Sequence, residues 1–170
     1  SRAQLDAVAV GRGPGAFTGV RLAIAIAQGI ALGLDRPLVP LSTLQVLAAG
    51  AHAGEADRLL AAIDARMHEV YWATYRMHDG IPEETAPERV VAPSHVVVEG
   101  DGWHGIGTGF SAGGSELATR LAPRLVTLDA GALPRAADLA RLAAAAFARG
   151  VAVSPDLAEP AYLRNNVALT

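Results

Sequence analysis

The chain contains no cysteine and no lysine. Without cysteine there is no disulfide, no thiolate metal ligand and no cysteine nucleophile. Without lysine there is no Walker-type phosphate lysine, no Schiff base and no lysine general base. All 14 basic residues are therefore arginine. Aromatic residues are 5 % and charged residues 18 % of the chain, and the net charge of −3 is spread with both signs interspersed, which argues against a strongly basic nucleic-acid binder. No secretory leader pattern and no 20-residue charge-free apolar run is present, because Arg21, Gln28 and Asp35 interrupt the longest apolar stretch. The expected location is the cytoplasm. The 170 residues, 51 % of them apolar, suffice for one ordinary domain or two small ones with a real core.

The order of elements suggests an α/β layer. Leu5 to Val10 reads as a strand, Gly11 to Gly19 as a glycine-rich loop, Val20 to about Leu34 as a helix, and Pro37 to Leu41 as a second strand. Ser42 or Thr43 is placed to cap a helix running through Ala51. A boundary is expected at Ala53 to Arg58, giving units 1–55, 56–150 and a tail 151–170. In the second unit Leu59 to Ile63 and Glu69 to Arg76 read as strands, with a turn at His78-Asp79-Gly80 and a return strand near Arg89 to Val91. Pro82, Pro87 and Pro93 read as irregular connections. Trp103 to Ile106 and Leu125 to Leu128 read as strands; about Ser115 to Leu121 and Pro134 to Arg149 read as helices, the latter stopped by Gly150.

Gly11-Arg12-Gly13-Pro14-Gly15-Ala16 matches the dinucleotide pattern G-x-G-x-x-A, with Asp35 at about the right spacing. The acid belongs at the end of the following strand, however, and Asp35 precedes that strand. The loop then reads either as a tight strand-to-helix connection or as an anion contact at a helix start.

The helix that follows has too little polar surface for one buried face. At about 100° per residue, Leu22, Ile26 and Ile30 form a stripe of large side chains, and Val20, Ala23, Ala27 and Ala31 a stripe of small ones. Only Arg21 and Gln28 are long and polar. The expectation is that the large stripe packs on the helix's own sheet and the alanine stripe meets a second helix, within a larger domain or from a partner. With an arginine and a glutamine in some 15 residues it does not read as a membrane span.

Catalytic constellations are scarce. His52, His68, His78, His95 and His104 give neither H-E-x-x-H nor a His-x-x-x-His pair, and no G-x-S-x-G elbow occurs. Asp64, Arg66 and Glu69 could cluster at a strand end, His68 and His78 flank the hairpin, Trp103 and Tyr162 read as packing anchors, and Arg164 and Asn165 as residues that pin the tail.

Gly13-Pro14-Gly15-Ala16-Phe17-Thr18-Gly19-Val20-Arg21 closely resembles the G-P-G-S-F-T-G-L-R signature of the TsaB (YeaZ) family of tRNA threonylcarbamoyladenosine biosynthesis proteins, with Ala16 for the usual serine. Pro40-Leu41-Ser42-Thr43-Leu44 is similar to its P-V-S-T-L segment, and Ile63-Asp64-Ala65-Arg66-Met67-His68-Glu69-Val70-Tyr71 to its I-D-A-R-x-x-E-V-Y segment. Gly105 to Gly109 and Pro160 to Asn165 resemble its G-x-G turn and its C-terminal P-x-Y-L-R motif. The resemblance implies the actin-like, Hsp70-like, sugar-kinase-like ATPase duplication, with the first half incomplete. The chain opens at Ser1 without methionine, and the family's first strands and helix have no counterpart in it. The resemblance further implies a non-catalytic subunit, without metal or bound cofactor, ATP being used by partner proteins. Its implied partners are a TsaD-like catalytic subunit and a TsaE-like ATPase, tRNA being reached indirectly, and two copies could pair through the same surface. The older glycoprotease label of the superfamily has no support in these residues. The signature residues carried over are Gly13, Pro14, Gly15, Phe17, Thr18, Gly19 and Arg21, and the implied interface residues are Gly19, Val20, Ala23, Ile24, Ala27 and Ala31.

Overall fold

The computed structural model describes residues 4–51, 54 and 57–164. Two sheets share the chain. The smaller has two parallel strands, β1 (Val8–Gly11) and β2 (Leu38–Leu41), joined through helix α1 (Phe17–Leu34) and followed by α2 (Thr43–Ala49). The larger has β3 (Arg58–Arg66), β4 (Glu69–His78), β5 (Ile81–Val91), β6 (Trp103–Ile106) and β7 (Leu125–Asp129), in the order β5-β4-β3-β6-β7. Strands β3, β4 and β5 are antiparallel neighbours, whereas β6 and β7 run parallel to β3. Two further helices, α3 (Glu116–Leu121) and α4 (Ala136–Ala148), complete the elements that position the site.

Both faces of each sheet are used. On the large sheet, Leu60, Trp72, Trp103 and Phe110 pack with Leu117 and Leu121 of α3, and Leu59, Ala61, Tyr75 and Ile106 pack with Leu44 and Leu47 of α2. The small sheet is sandwiched. Val39 and Leu41 meet Leu142, Ala143 and Ala146 of α4, while Val10 and Leu38 meet Ile24, Ala27 and Ala31 of α1. The period-2 alternation of β1 and β2 thus supplies two helix contacts at once. Helix α4 therefore closes the small sheet, so the unit expected to span 56–150 does not follow the packing.

The start of α2 matches its sequence signal, because Ser42 Oγ accepts hydrogen bonds from the amides of Leu44 (3.1 Å) and Gln45 (3.2 Å). Helix α1 starts at Phe17 rather than Val20, with no side-chain cap on its first turn. At its other end Asp35 adopts a left-handed conformation (φ 52°) and donates its amide to the carbonyls of Ala31 and Leu32. Asp35 is a helix stop, and the dinucleotide reading of its carboxylate falls with that.

The stretch read as irregular around Pro82 and Pro87 is one continuous strand, of which Arg89 to Val91 is only the last part. Strand β5 lies at the sheet edge, where a missing N–H can face outward, and its register against β4 shifts twice, between Trp72 and Thr74 and between Thr74 and Tyr75. In the turn Gly107-Thr108-Gly109, glycine is required by contact. A Cβ on Gly107 (φ 110°) would sit 2.3 Å from the Ala62 carbonyl oxygen, and one on Gly109 would sit 2.7 Å from Ala62 Cβ.

Candidate functional site

The signature residues divide into an anchored group and an exposed group. Gly13 and Pro14 are buried, and Gly13 (φ 98°) faces Val20. Gly15 also faces Val20, 3.3 Å from where its Cβ would lie. Phe17, Thr18, Gly19 and Arg21 are exposed on the first turns of α1. The Arg21 guanidinium stacks on the Phe17 ring at 3.6 Å and donates to Tyr162 Oη from Nε (3.0 Å) and Nη2 (2.8 Å). Tyr162, read as a packing anchor, is 56 % exposed; its hydroxyl accepts from Arg21, whose guanidinium also lies over its ring at 5.4 Å. Trp103 is buried as expected.

The C-terminal tail ties the two sheets together. Val153 exchanges backbone hydrogen bonds with Leu38. Gln28 donates to the carbonyl of Pro155 at 2.8 Å, and the Ala161 amide donates to the carbonyl of Arg12 at 2.8 Å. Arg164 then bonds Glu69 and the Ala65 carbonyl. Asn165 lies outside the described residues. Asp64 pairs with Arg66 at 3.1 Å, while Glu69 is held instead by Arg164, so the expected three-residue cluster divides into two pairs. The turn between β3 and β4 places Arg66, Met67 and His68 in succession at positive φ. Between signature loop, strand end and tail lies a cleft of about 940 Å³, lined by Phe17, Ile63, Tyr71, Thr108, Ala112 and Leu163 among others.

The interface residues expected on α1 are split by the fold. Ile24, Ala27 and Ala31 are buried in the chain's own core at 4 %, 6 % and 0 % exposure, and Val20 is half-buried against them. They are not available to a partner, and only Gly19 and Ala23 of that set are exposed. The stripe expected to pack inward points outward instead: Leu22, Ile26 and Ile30 are 58 %, 54 % and 49 % exposed. The physical reason is clearance. Small side chains let α1 lie close on a two-stranded sheet whose own residues, Val10 and Leu38, fill the remaining space.

Beside the outward stripe run Ala25, Gly29 and Gly33, all exposed. A Cβ on Gly29 or Gly33 would meet nothing within 4 Å. By length and composition α1 also passes the test for a membrane-crossing helix.

A polar knot missed by the sequence reading joins the two halves. The Ser42 hydroxyl donates to Glu88 Oε1, and Arg12 Nη2 lies 3.4 Å from Glu88 Oε2. The Glu88 side chain is only 6 % exposed. Tyr75 is buried next to this knot, with its hydroxyl beside Ser42. Burial pushes the Tyr75 phenol well above its usual range; the Glu88 and Glu84 carboxylates act in the same direction, Ser42 and Arg12 against it. Burial and then the Glu88 charge raise Glu84 above the ordinary carboxylate range. No local pattern marks Glu88, because a lone acid between Pro87 and Arg89 reads as surface.

The histidines do not converge among the described residues. His104 bonds Thr127 Oγ1 at 2.8 Å and lies 3.2 Å from Asp57 Oδ2, while His78 lies 3.7 Å from Asp79. His52 lies outside the described residues. Among the described residues, no three His, Asp or Glu side chains gather as metal ligands would.

A family model for "TsaD: tRNA N6-adenosine threonylcarbamoyltransferase" matches residues 1–170, which places the chain in the threonylcarbamoyladenosine class. The relatives narrow this. The tRNA threonylcarbamoyladenosine biosynthesis protein TsaB of Escherichia coli K12 is 45 % identical over 99 % of this chain and 74 % of its own length. Its counterpart in Haemophilus influenzae is 36 % identical over 96 % of this chain and 72 % of its own. The solved structure of YeaZ from Pseudomonas aeruginosa superimposes with a TM-score of 0.82 at 44 % identity, covering 96 % of this chain and 76 % of that one. Another solved chain, described as similar to "peptidase YEAZ from Pseudomonas aeruginosa", gives a TM-score of 0.83 at 43 % identity. The chain belongs to the TsaB (YeaZ) family of tRNA threonylcarbamoyladenosine biosynthesis proteins.

Proposed function

We propose that this chain is a non-catalytic, activating subunit of the complex that transfers threonylcarbamoyl onto the adenosine next to the anticodon of tRNA. It acts by pairing with a TsaD-like catalytic subunit, alongside a TsaE-like ATPase that uses the ATP. It holds no cofactor itself, meets tRNA only through the complex and works in the cytoplasm. The two sheets, in this reading, are the two halves of an actin-like duplication.

The observation that carries this reading is the outer face of α1. Leu22, Ile26 and Ile30 stand as a ridge beside a groove of Ala25, Gly29 and Gly33, all at helical spacing of four. A glycine inside a helix costs about 1 kcal/mol relative to alanine, and neither Gly29 nor Gly33 is required by any neighbour among the described residues. A helix from outside, packed ridge into groove, accounts for both the exposed ridge and the unfilled groove. The same face fits a second copy when the catalytic subunit is absent. The helix is read as a docking element rather than a membrane span because its other face is core and Arg21 and Gln28 are bonded to the tail.

Light scattering on a size-exclusion column, with the full chain mixed with the TsaD-like subunit, tests the proposal. A stable heterodimer is expected. Two unmixed peaks, even with ATP, tRNA and the TsaE-like ATPase present, would contradict it. The cleft of about 940 Å³ favours one second reading, a degenerate nucleotide-binding protein. Micromolar ATP binding in calorimetry would support that reading.

A further inference from the structure

We propose that Glu88 is a positioning residue for the docking helix: by gripping Arg12 and Ser42 it fixes the signature loop, and α1 behind it, against the five-stranded half. This rests on the docking reading of α1.

Glu88 is brought inward by an irregularity. Strand β5 pairs Arg89 with Trp72 and Ala86 with Thr74, so Pro87 and Glu88 lie opposite a single residue of β4. Such a bulge re-aims a side chain that would otherwise follow the edge. The carboxylate then enters a nearly closed space with one cation, Arg12, one donor hydroxyl, Ser42, and the Tyr75 and Glu84 side chains near it. An ion pair with its carboxylate buried is a poor source of net stability, because desolvating the charge offsets much of the attraction. What it does supply is one allowed arrangement, and this arrangement spans the two sheets.

Arg12 is where that arrangement reaches the loop. Its amide donates to the Leu41 carbonyl (2.8 Å), its carbonyl accepts from Ala161 (2.8 Å), and the next carbonyl, that of Gly13, accepts from Thr43 (2.8 Å). Two of these three hydrogen bonds lie on the residue that Glu88 holds, and the third lies on its neighbour Gly13. Helix α1 packs mainly on β1, β2 and the tail. Its setting relative to the large sheet passes through this knot, through α2, through α4 and through the tail.

The test uses Glu88→Gln, Arg12→Met and the double variant in the full chain. Two quantities are measured: the Kd for the TsaD-like subunit, and amide hydrogen exchange of the unpaired protein over residues 13–21. If the docking-competent setting falls to about a tenth of the population, Kd rises about tenfold. Each single variant should show that rise, the double no more than either single, because both act on one contact. Exchange should quicken over 13–21 and stay unchanged in α4. Unchanged Kd and unchanged exchange in folded variants would overturn the proposal. So would exchange that quickens evenly through α4 as well, since that marks general destabilisation. A parent chain that does not pair at all contradicts the docking reading instead, and exchange over 13–21 still decides whether Glu88 holds the loop.

Discussion

Two sets of glycines, one around the Gly105–Gly109 turn and one on α1, have opposite meanings in this molecule. In the five-stranded half, Gly105, Gly107 and Gly109 stand where a Cβ would meet Phe110, the Ala62 carbonyl oxygen or Ala62 Cβ at 2.9 Å or less. Those glycines are explained by the chain's own packing. In the two-stranded half, Gly29 and Gly33 face open space, and the apolar residues alongside them are exposed. In the docking reading, a glycine that no described residue requires, next to leucine and isoleucine that no described residue covers, is explained by a partner helix. On the docking proposal, the contrast separates residues that build this chain from residues that meet another.

The largest expected effect lies on the building side. Gly107→Ala drives a Cβ into the Ala62 carbonyl and into Leu47 from a backbone at φ 110°. Strain and overpacking together should cost about 3 kcal/mol or more, read as a fall in the urea midpoint with little change in slope. A midpoint within error of the parent would show that the turn yields easily and would weaken the contrast.

Two neighbours on α1 sharpen it next. Ala27 is buried in the core and Ile26 is 54 % exposed. Ala27→Arg should cost about 3 kcal/mol by burying a charge without a partner. Ile26→Arg should leave the unfolding midpoint within about 0.5 kcal/mol of the parent while weakening partner pairing by about 2 kcal/mol or more. The opposite pattern, with Ala27→Arg folded and unpaired, would restore the alanine stripe as the interface.

A smaller effect belongs to the join between the halves. Because burial raises the folded Tyr75 phenol above its unfolded value near 10, its neutral form is favoured in the native state. That contribution is complete below pH 10 and is lost as pH rises toward the folded value, at up to about 1.4 kcal/mol per pH unit. Tyr75→Phe should flatten the alkaline limb of a stability-versus-pH curve, and an unchanged limb would assign it to other groups.

The sequence carried most elements but not their orientations. The α2 cap at Ser42 or Thr43, Gly150 after α4 and the run of strand formers in β4 are local signals, and each was legible. Strand β5 was hidden because Pro82 and Pro87 break strand patterns, and only its place at the edge makes them tolerable. The two stripes of α1 were legible as stripes. Which one faced inward depended on the clearance over a two-stranded sheet, which helical periodicity does not encode. Glu88 was illegible because its burial comes from a bulge in β5 and from Arg12, 76 residues away. The family motifs, by contrast, located a signature segment without its geometry, since Phe17, Thr18, Gly19 and Arg21 could be placed on the chain but not their neighbours.

The most direct measurement is on Gly29 and Gly33 together. In the Gly29→Ala, Gly33→Ala chain, each substitution should stabilise the isolated protein by roughly 0.5–1 kcal/mol, because helix propensity improves and no neighbour is struck. Thermal unfolding and titration with the TsaD-like subunit are then read side by side. A higher Tm with weaker pairing is the predicted result, since the added methyl groups fill the groove a partner helix enters. A higher Tm with pairing as tight as before would mean that the groove meets nothing, and the central claim would fail.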